Sequence, residues 1–141
     1  MDPKILVDTG PLVALLNRRD QNHAWCARQL QALTDPLVTC DAVLSEAFFL
    51  LKRSTESGVK QLSEMIRRGL LCSQFDFGRN QGRILDLMKK YHDLPTSFAD
   101  VCLVVMAESL PGTKVWTLDR DFRVYRMANR RVVPLICPNR E

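Results

Sequence analysis

The sequence predicts an α/β protein with a parallel sheet covered by helices on both faces. Apolar runs of strand length recur at 4–7, 36–40, 70–77, 114–118 and 132–136. Segments with helical spacing of apolar residues separate them, the alternation that builds parallel sheets. No repeat, low-complexity tract or linker divides the 141 residues, so one domain over 1–141 is expected.

The elements follow in order. Lys4 to Val7 reads as a buried strand, and Pro11 suits the first turn of a helix that "LVALLNRR" carries to about Arg19. Asn22 is placed to cap "HAWCARQLQAL". "PLVTC" gives the second strand, and Asp41 is placed to cap the apolar helix "AVLSEAFFLLKR". A helix from about Glu56 to Arg68 stops at Gly69, before a third strand, "LLCSQFDF". In "RNQGRILDLMKKYHD", Ile84, Leu87, Met88 and Tyr91 form one stripe. Pro95 breaks that helix, and Ser97 caps "FADVCLVVMAES". Pro111-Gly112 turns into the strand "KVWTL"; a short helix, "DFRVYRMAN", then precedes the strand "VVPLI".

Composition bounds the partners. A chain 46% hydrophobic and 26% charged is of soluble globular type, and no apolar stretch nears the roughly 18 residues that span a bilayer. "MDPKILVD" places an acid where a signal peptide is basic, so a cytoplasmic location is expected. Cys26, Cys40, Cys72, Cys102 and Cys137 are scattered without a C-x-x-C pair, as core thiols are. The net charge of +4 is compatible with a polyanionic partner and does not require one.

Three acids stand where acids are costly. Asp8 interrupts "ILVDTGPLVALL", Glu46 "AVLSEAFFLL" and Asp100 "SFADVCLVVMA". A lone carboxylate among residues that bury themselves must be paired, protonated or bound to a cation, and no Lys or Arg lies within helical reach of Glu46 or Asp100 on the apolar side. Asp119 follows the fourth strand directly, and Asp121 lies two residues on. In a doubly wound sheet, sites form outside the carboxyl ends of the strands where their order reverses, and hard oxygen donors there suit Mg²⁺ or Mn²⁺.

Blander roles compete with this one. Asp8 is placed to cap the helix at Pro11, Asp100 to complete a capping box with Ser97, and Asp119 or Asp121 to cap the last helix, while Glu46 would suit a surface. Asp8-Thr9-Gly10 also spells an aspartic-protease loop, but those enzymes are all-β and need a second copy, whereas this triplet enters a helix.

Together the four blocks "ILVDTGPLVALL", "VLSEAFFLL", "SFADVCLVVMAE" and "VWTLDRDF" resemble the PIN domain, particularly VapC-like toxin ribonucleases, from about Ile5 to Pro134. The resemblance implies a three-layer α/β/α fold with a mostly parallel five-stranded sheet. It implies an endoribonuclease that hydrolyses RNA phosphodiesters with Mg²⁺ or Mn²⁺, held by Asp8, Glu46, Asp100 and Asp119, with Asp121 as auxiliary or alternative. Thr9 and Thr117 would be supporting hydroxyls. It further implies a cognate antitoxin that wraps the protein and obstructs the pocket, and a homodimer. A housekeeping RNA-processing nuclease and a non-catalytic RNA- or protein-binding module are the alternatives. Arg120, Arg123 and Arg126, spaced by three, would lie along one side of the last helix as phosphate contacts or as a solvated face. His23 and His92 are expected at the surface, outside the chemistry.

Overall fold

The computed structural model describes residues 4–139; Met1 to Pro3, with the acid weighed against a signal peptide, and the last two residues lie outside it. The chain runs β1 (Ile5–Val7), α1 (Thr9–Leu16), α2 (His23–Ala32), β2 (Leu37–Thr39), α3 (Asp41–Ser54), α4 (Glu56–Arg67), β3 (Leu71–Ser73), α5 (Phe77–Lys90), α6 (Phe98–Ser109), β4 (Lys114–Trp116), a 3-10 turn (Arg120–Arg123) and β5 (Leu135–Ile136). All five strands are parallel, in the order β3-β2-β1-β4-β5, with helices covering the sheet as a three-layer α/β/α sandwich.

The strand order places the site. From β1 the chain builds one half of the sheet through β2 and β3, then crosses back to add β4 and β5 on the other side. Order therefore reverses between β1 and β4, whose carboxyl ends lead into Asp8 and Thr117. The Asp8 amide donates to the Trp116 carbonyl (2.9 Å), locking the two strand ends together. Helix α6 packs against both strands and buries every residue from Ala99 to Ala107, which explains its nearly continuous apolar sequence. Leu6, Val7, Leu103, Val115 and Trp116 are among the fully buried residues of the core.

Several boundaries differ from the sequence expectation. Helix α1 stops at Leu16 because Asn17 leaves helical backbone geometry. Asn22 holds the N-cap position of α2 without a side-chain capping bond. Cys40, not Asp41, precedes α3; Asp41 is its first residue and accepts a hydrogen bond from the Ser73 hydroxyl. The third strand is short because Asp76 caps α5 by accepting from the Arg79 amide, which draws Phe77 and Gly78 into that helix. Gly69 does end α4, at φ +74.

The helix expected at 121–129 is the largest departure: one 3-10 turn forms, and the chain then doubles back through an antiparallel bridge between Arg126 and Val132. Phe122 and Tyr125, three residues apart, both turn inward and are fully buried. The last strand shrinks to Leu135–Ile136. Cys26, Cys40 and Cys102 are buried free thiols, whereas Cys72 and Cys137 are half-buried.

Candidate active site

A cleft of about 510 Å³ opens at the carboxyl ends of β1 and β4. Among the described residues, five carboxylates line it: Asp8, Asp20, Glu46, Asp100 and Asp119. Thr9 and Ser97 add hydroxyls, and Val13, Leu50 and Leu118 supply apolar wall. A Cβ on Gly10 would lie 3.3 Å from Leu118 Cδ1, so glycine lets the first turn of α1 lie close to the end of β4.

Asp8 is buried, 7% exposed. It caps α1, its Oδ1 accepting from the Thr9 amide (2.7 Å), and it also faces the cleft, so the two roles weighed from sequence coexist. Its Oδ2 accepts from the buried Thr117 hydroxyl (2.8 Å). Burial pushes its carboxyl up to about 7; the Thr117 bond opposes this, and the charges of Asp100 and Asp119 add to it.

Asp100, equally buried, forms the capping box of α6 with Ser97: its amide donates to Ser97 Oγ, and its Oδ2 accepts from the Ser97 amide, both at 3.0 Å. Burial raises its pKa, as does the charge of Asp119. The capping role is real here too, and it orients the side chain that lines the cleft.

Asp119 is half-buried and caps the 3-10 turn, its Oδ1 accepting from the Asp121 amide (2.8 Å). Its own amide donates to Thr117 Oγ1 (3.0 Å), so Thr117 joins Asp119 and Asp8 through one hydroxyl. Asp121 does not line the cleft.

The burial argument made for Glu46 is overturned. Glu46 is exposed, because it projects from the rim-facing side of α3, where Ser45, Phe49 and Leu50 are exposed as well. It still edges the cleft and accepts from the Thr9 hydroxyl at 3.3 Å.

The three arginines do not share a helical side, because the helix does not form. Arg126 Nη1 donates to the carbonyls of Arg123, Val124 and Tyr125, folding its guanidinium onto the backbone. Neither Arg120 nor Arg123 lines the cleft. His23 is half-buried rather than superficial, bonded through Nδ1 to the Ala14 carbonyl (2.8 Å); His92 is exposed, and neither reaches the acids.

Two cleft features carry little sequence signal. Asp20, between Arg19 and Gln21, reads as an ordinary loop acid, yet the turn after α1 brings it to the cleft wall, its Oδ1 accepting from the Asn22 amide (2.8 Å). Tyr125 sits in the misread helix; its buried hydroxyl lies 3.2 Å from Asp100 Oδ2.

Among the described residues, no ion pair reaches Asp8, Glu46, Asp100 or Asp119. Nor does any group of three or more His, Cys, Asp or Glu side chains form a ready-made metal cage there. The donor set is nonetheless all oxygen, and it fits an ion that takes one or two carboxylates and completes its shell with water or substrate phosphate.

An all-parallel α/β/α fold with carboxylates gathered at its switch point defines the class, and sequence comparison assigns it: the PIN domain profile matches residues 5–127. The chain belongs to the PIN domain family. Among solved structures it is similar to a Mycobacterium tuberculosis toxin that cleaves the sarcin-ricin loop, VapC20, with a TM-score of 0.70 and 21% identity over 86% of this chain and 94% of that one. No curated protein matches its sequence closely enough to register as a relative. Among the described residues, no helix is long and apolar enough to cross a membrane.

Proposed function

We propose that the chain is a metal-dependent endoribonuclease acting in the cytoplasm as the toxin of a type II toxin–antitoxin pair. One observation carries this reading: Asp8 and Asp100, both buried, face one cleft with no cationic side chain paired to them among the described residues. The PIN family assignment and the likeness to a toxin that cleaves the sarcin-ricin loop support it.

Hard carboxylate oxygens favour Mg²⁺ or Mn²⁺, which, when bound, lowers the pKa of a water and braces the scissile phosphate. The chain's own residues do the positioning. Asp8 has both oxygens anchored by neutral donors, and Asp100 and Asp119 each have one. Such anchoring fixes where charge is presented without neutralising it. Asp8, Asp100 and Asp119 hold the ion, directly or through water. Glu46, exposed at the rim and touched by Thr9, either holds the ion or orients the attacking water. Asp121 takes no part. RNA is the substrate, a small cognate antitoxin covers the cleft in the resting complex, and the toxin is a homodimer.

The test compares RNA cleavage by wild type and Asp100→Asn. Asparagine keeps an oxygen for Ser97 and removes the charge, so the variant is expected to stay folded and lose roughly 10³-fold or more in rate. EDTA should silence the wild type, and Mg²⁺ or Mn²⁺ should restore it. Undiminished, chelator-resistant cleavage by the folded variant would sink the reading.

A further inference from the structure

We infer that Tyr125 is a positioning residue for Asp100, fixing which of its oxygens is offered to the cleft; this rests on the metal-nuclease reading above. The Tyr125 hydroxyl is fully buried, 3.0 Å from Thr96 Oγ1 and 3.2 Å from Asp100 Oδ2. A phenol has one proton and an ionised carboxylate only accepts, so Tyr125 donates to Asp100 and the Thr96 hydroxyl donates to the phenol oxygen. The Ser97 amide reaches the same oxygen, Oδ2, at 3.0 Å. Two donors on Oδ2 hold the carboxylate from behind and leave Oδ1 available to the cleft.

The ring is held as firmly as the hydroxyl. Tyr91 and Phe122 each lie 5.0 Å from it, centroid to centroid, and the Tyr91 hydroxyl accepts from the Arg126 amide (3.0 Å). The segment from Asp119 to Arg126 thus brings one carboxylate to the cleft wall and, six residues later, a hydroxyl to the back of another. A phenylalanine would fill the same ring site, so packing alone does not require the hydroxyl.

The test measures Mn²⁺ affinity of the intact chain from the electron paramagnetic resonance of free Mn²⁺, together with the thermal midpoint and with kcat and KM on one RNA. Tyr125→Phe should raise the Mn²⁺ dissociation constant by roughly 10-fold or more. Its midpoint should stay within about 10 °C of wild type. KM for RNA at saturating Mn²⁺ should not move, because the phenol touches no substrate. Thr96→Val, which keeps the phenol and removes its partner, should give a smaller loss of affinity in the same direction, and it decides the question if Tyr125→Phe does not fold. Wild-type Mn²⁺ affinity in a folded Tyr125→Phe overturns the positioning role alone. Absence of Mn²⁺ binding by the wild type overturns the metal reading and the positioning role with it.

Discussion

Helix α6 carries two carboxylates near its ends, and the protein meets them in opposite ways. Glu108, in the last turn, receives a two-pronged bond from Arg83: Nη2 to Oε2 at 2.7 Å and Nε to Oε1 at 3.1 Å. That position faces the negative end of the helix dipole, where an unpaired acid is disfavoured. Asp100, in the first turn, is more deeply buried and, among the described residues, is held by neutral donors, the Ser97 amide and the Tyr125 hydroxyl. Asp8 is treated the same way, by the Thr9 amide and the Thr117 hydroxyl. Glu108, away from the cleft, is neutralised by an arginine; Asp8 and Asp100, which face it, have their direction fixed by dipoles that leave the charge in place.

The contrast breaks first at Asp8. Its carboxyl sits near 7 in the fold against 3.8 for the ordinary group. Between those values the folded state keeps a proton that the unfolded chain has released, so the metal-free protein loses stability as pH rises. At about 1.4 kcal/mol per pH unit the loss is roughly 4 kcal/mol, complete above pH 7 and absent below about 4. Asp8→Asn keeps acceptor and size without the charge. Denaturant unfolding in EDTA should therefore find it more stable than wild type at pH 8 and equal at pH 4; a variant less stable at pH 8 would show that the buried charge is already compensated.

The other end of α6 gives the smaller effect. Arg83→Met keeps the aliphatic stem and strands a half-buried Glu108. It should cost roughly 1–2 kcal/mol in denaturant unfolding at pH 7, between exposed and buried pairs. RNA cleavage by the folded variant should match wild type; a matching fall in rate would mean that the two ends of α6 are not independent.

How much of this was legible depended on what kind of signal each residue leaves. The parallel sheet was legible because central strands buried on both faces read as plain apolar runs. Asp8 and Asp100 stood out for the same reason: a single acid in such a run is costly to bury, and the capping roles open to both did not remove that cost. Glu46 was picked out by an argument that fails, since its side of α3 is exposed, although it does edge the cleft. The resemblance favoured Asp119 over Asp121, and Asp119, which caps the 3-10 turn, lines the cleft whereas Asp121 does not. Asp20 and Tyr125 were illegible, because a loop acid and an inward aromatic become site residues only through tertiary contacts. The expected arginine face failed because helical spacing means nothing where the backbone turns back on itself.

The central claim is that the cleft acids are left uncompensated so that a cation from solution can complete them. The most direct measurement is the thermal midpoint of EDTA-stripped wild type and Asp8→Asn at pH 8, with and without Mn²⁺. The account predicts that Mn²⁺ at about 100 times its dissociation constant stabilises the wild type by roughly 2.7 kcal/mol, a rise of about 10 °C, and leaves Asp8→Asn nearly unmoved. A wild-type midpoint indifferent to Mn²⁺, or an equal rise in both proteins, would contradict it.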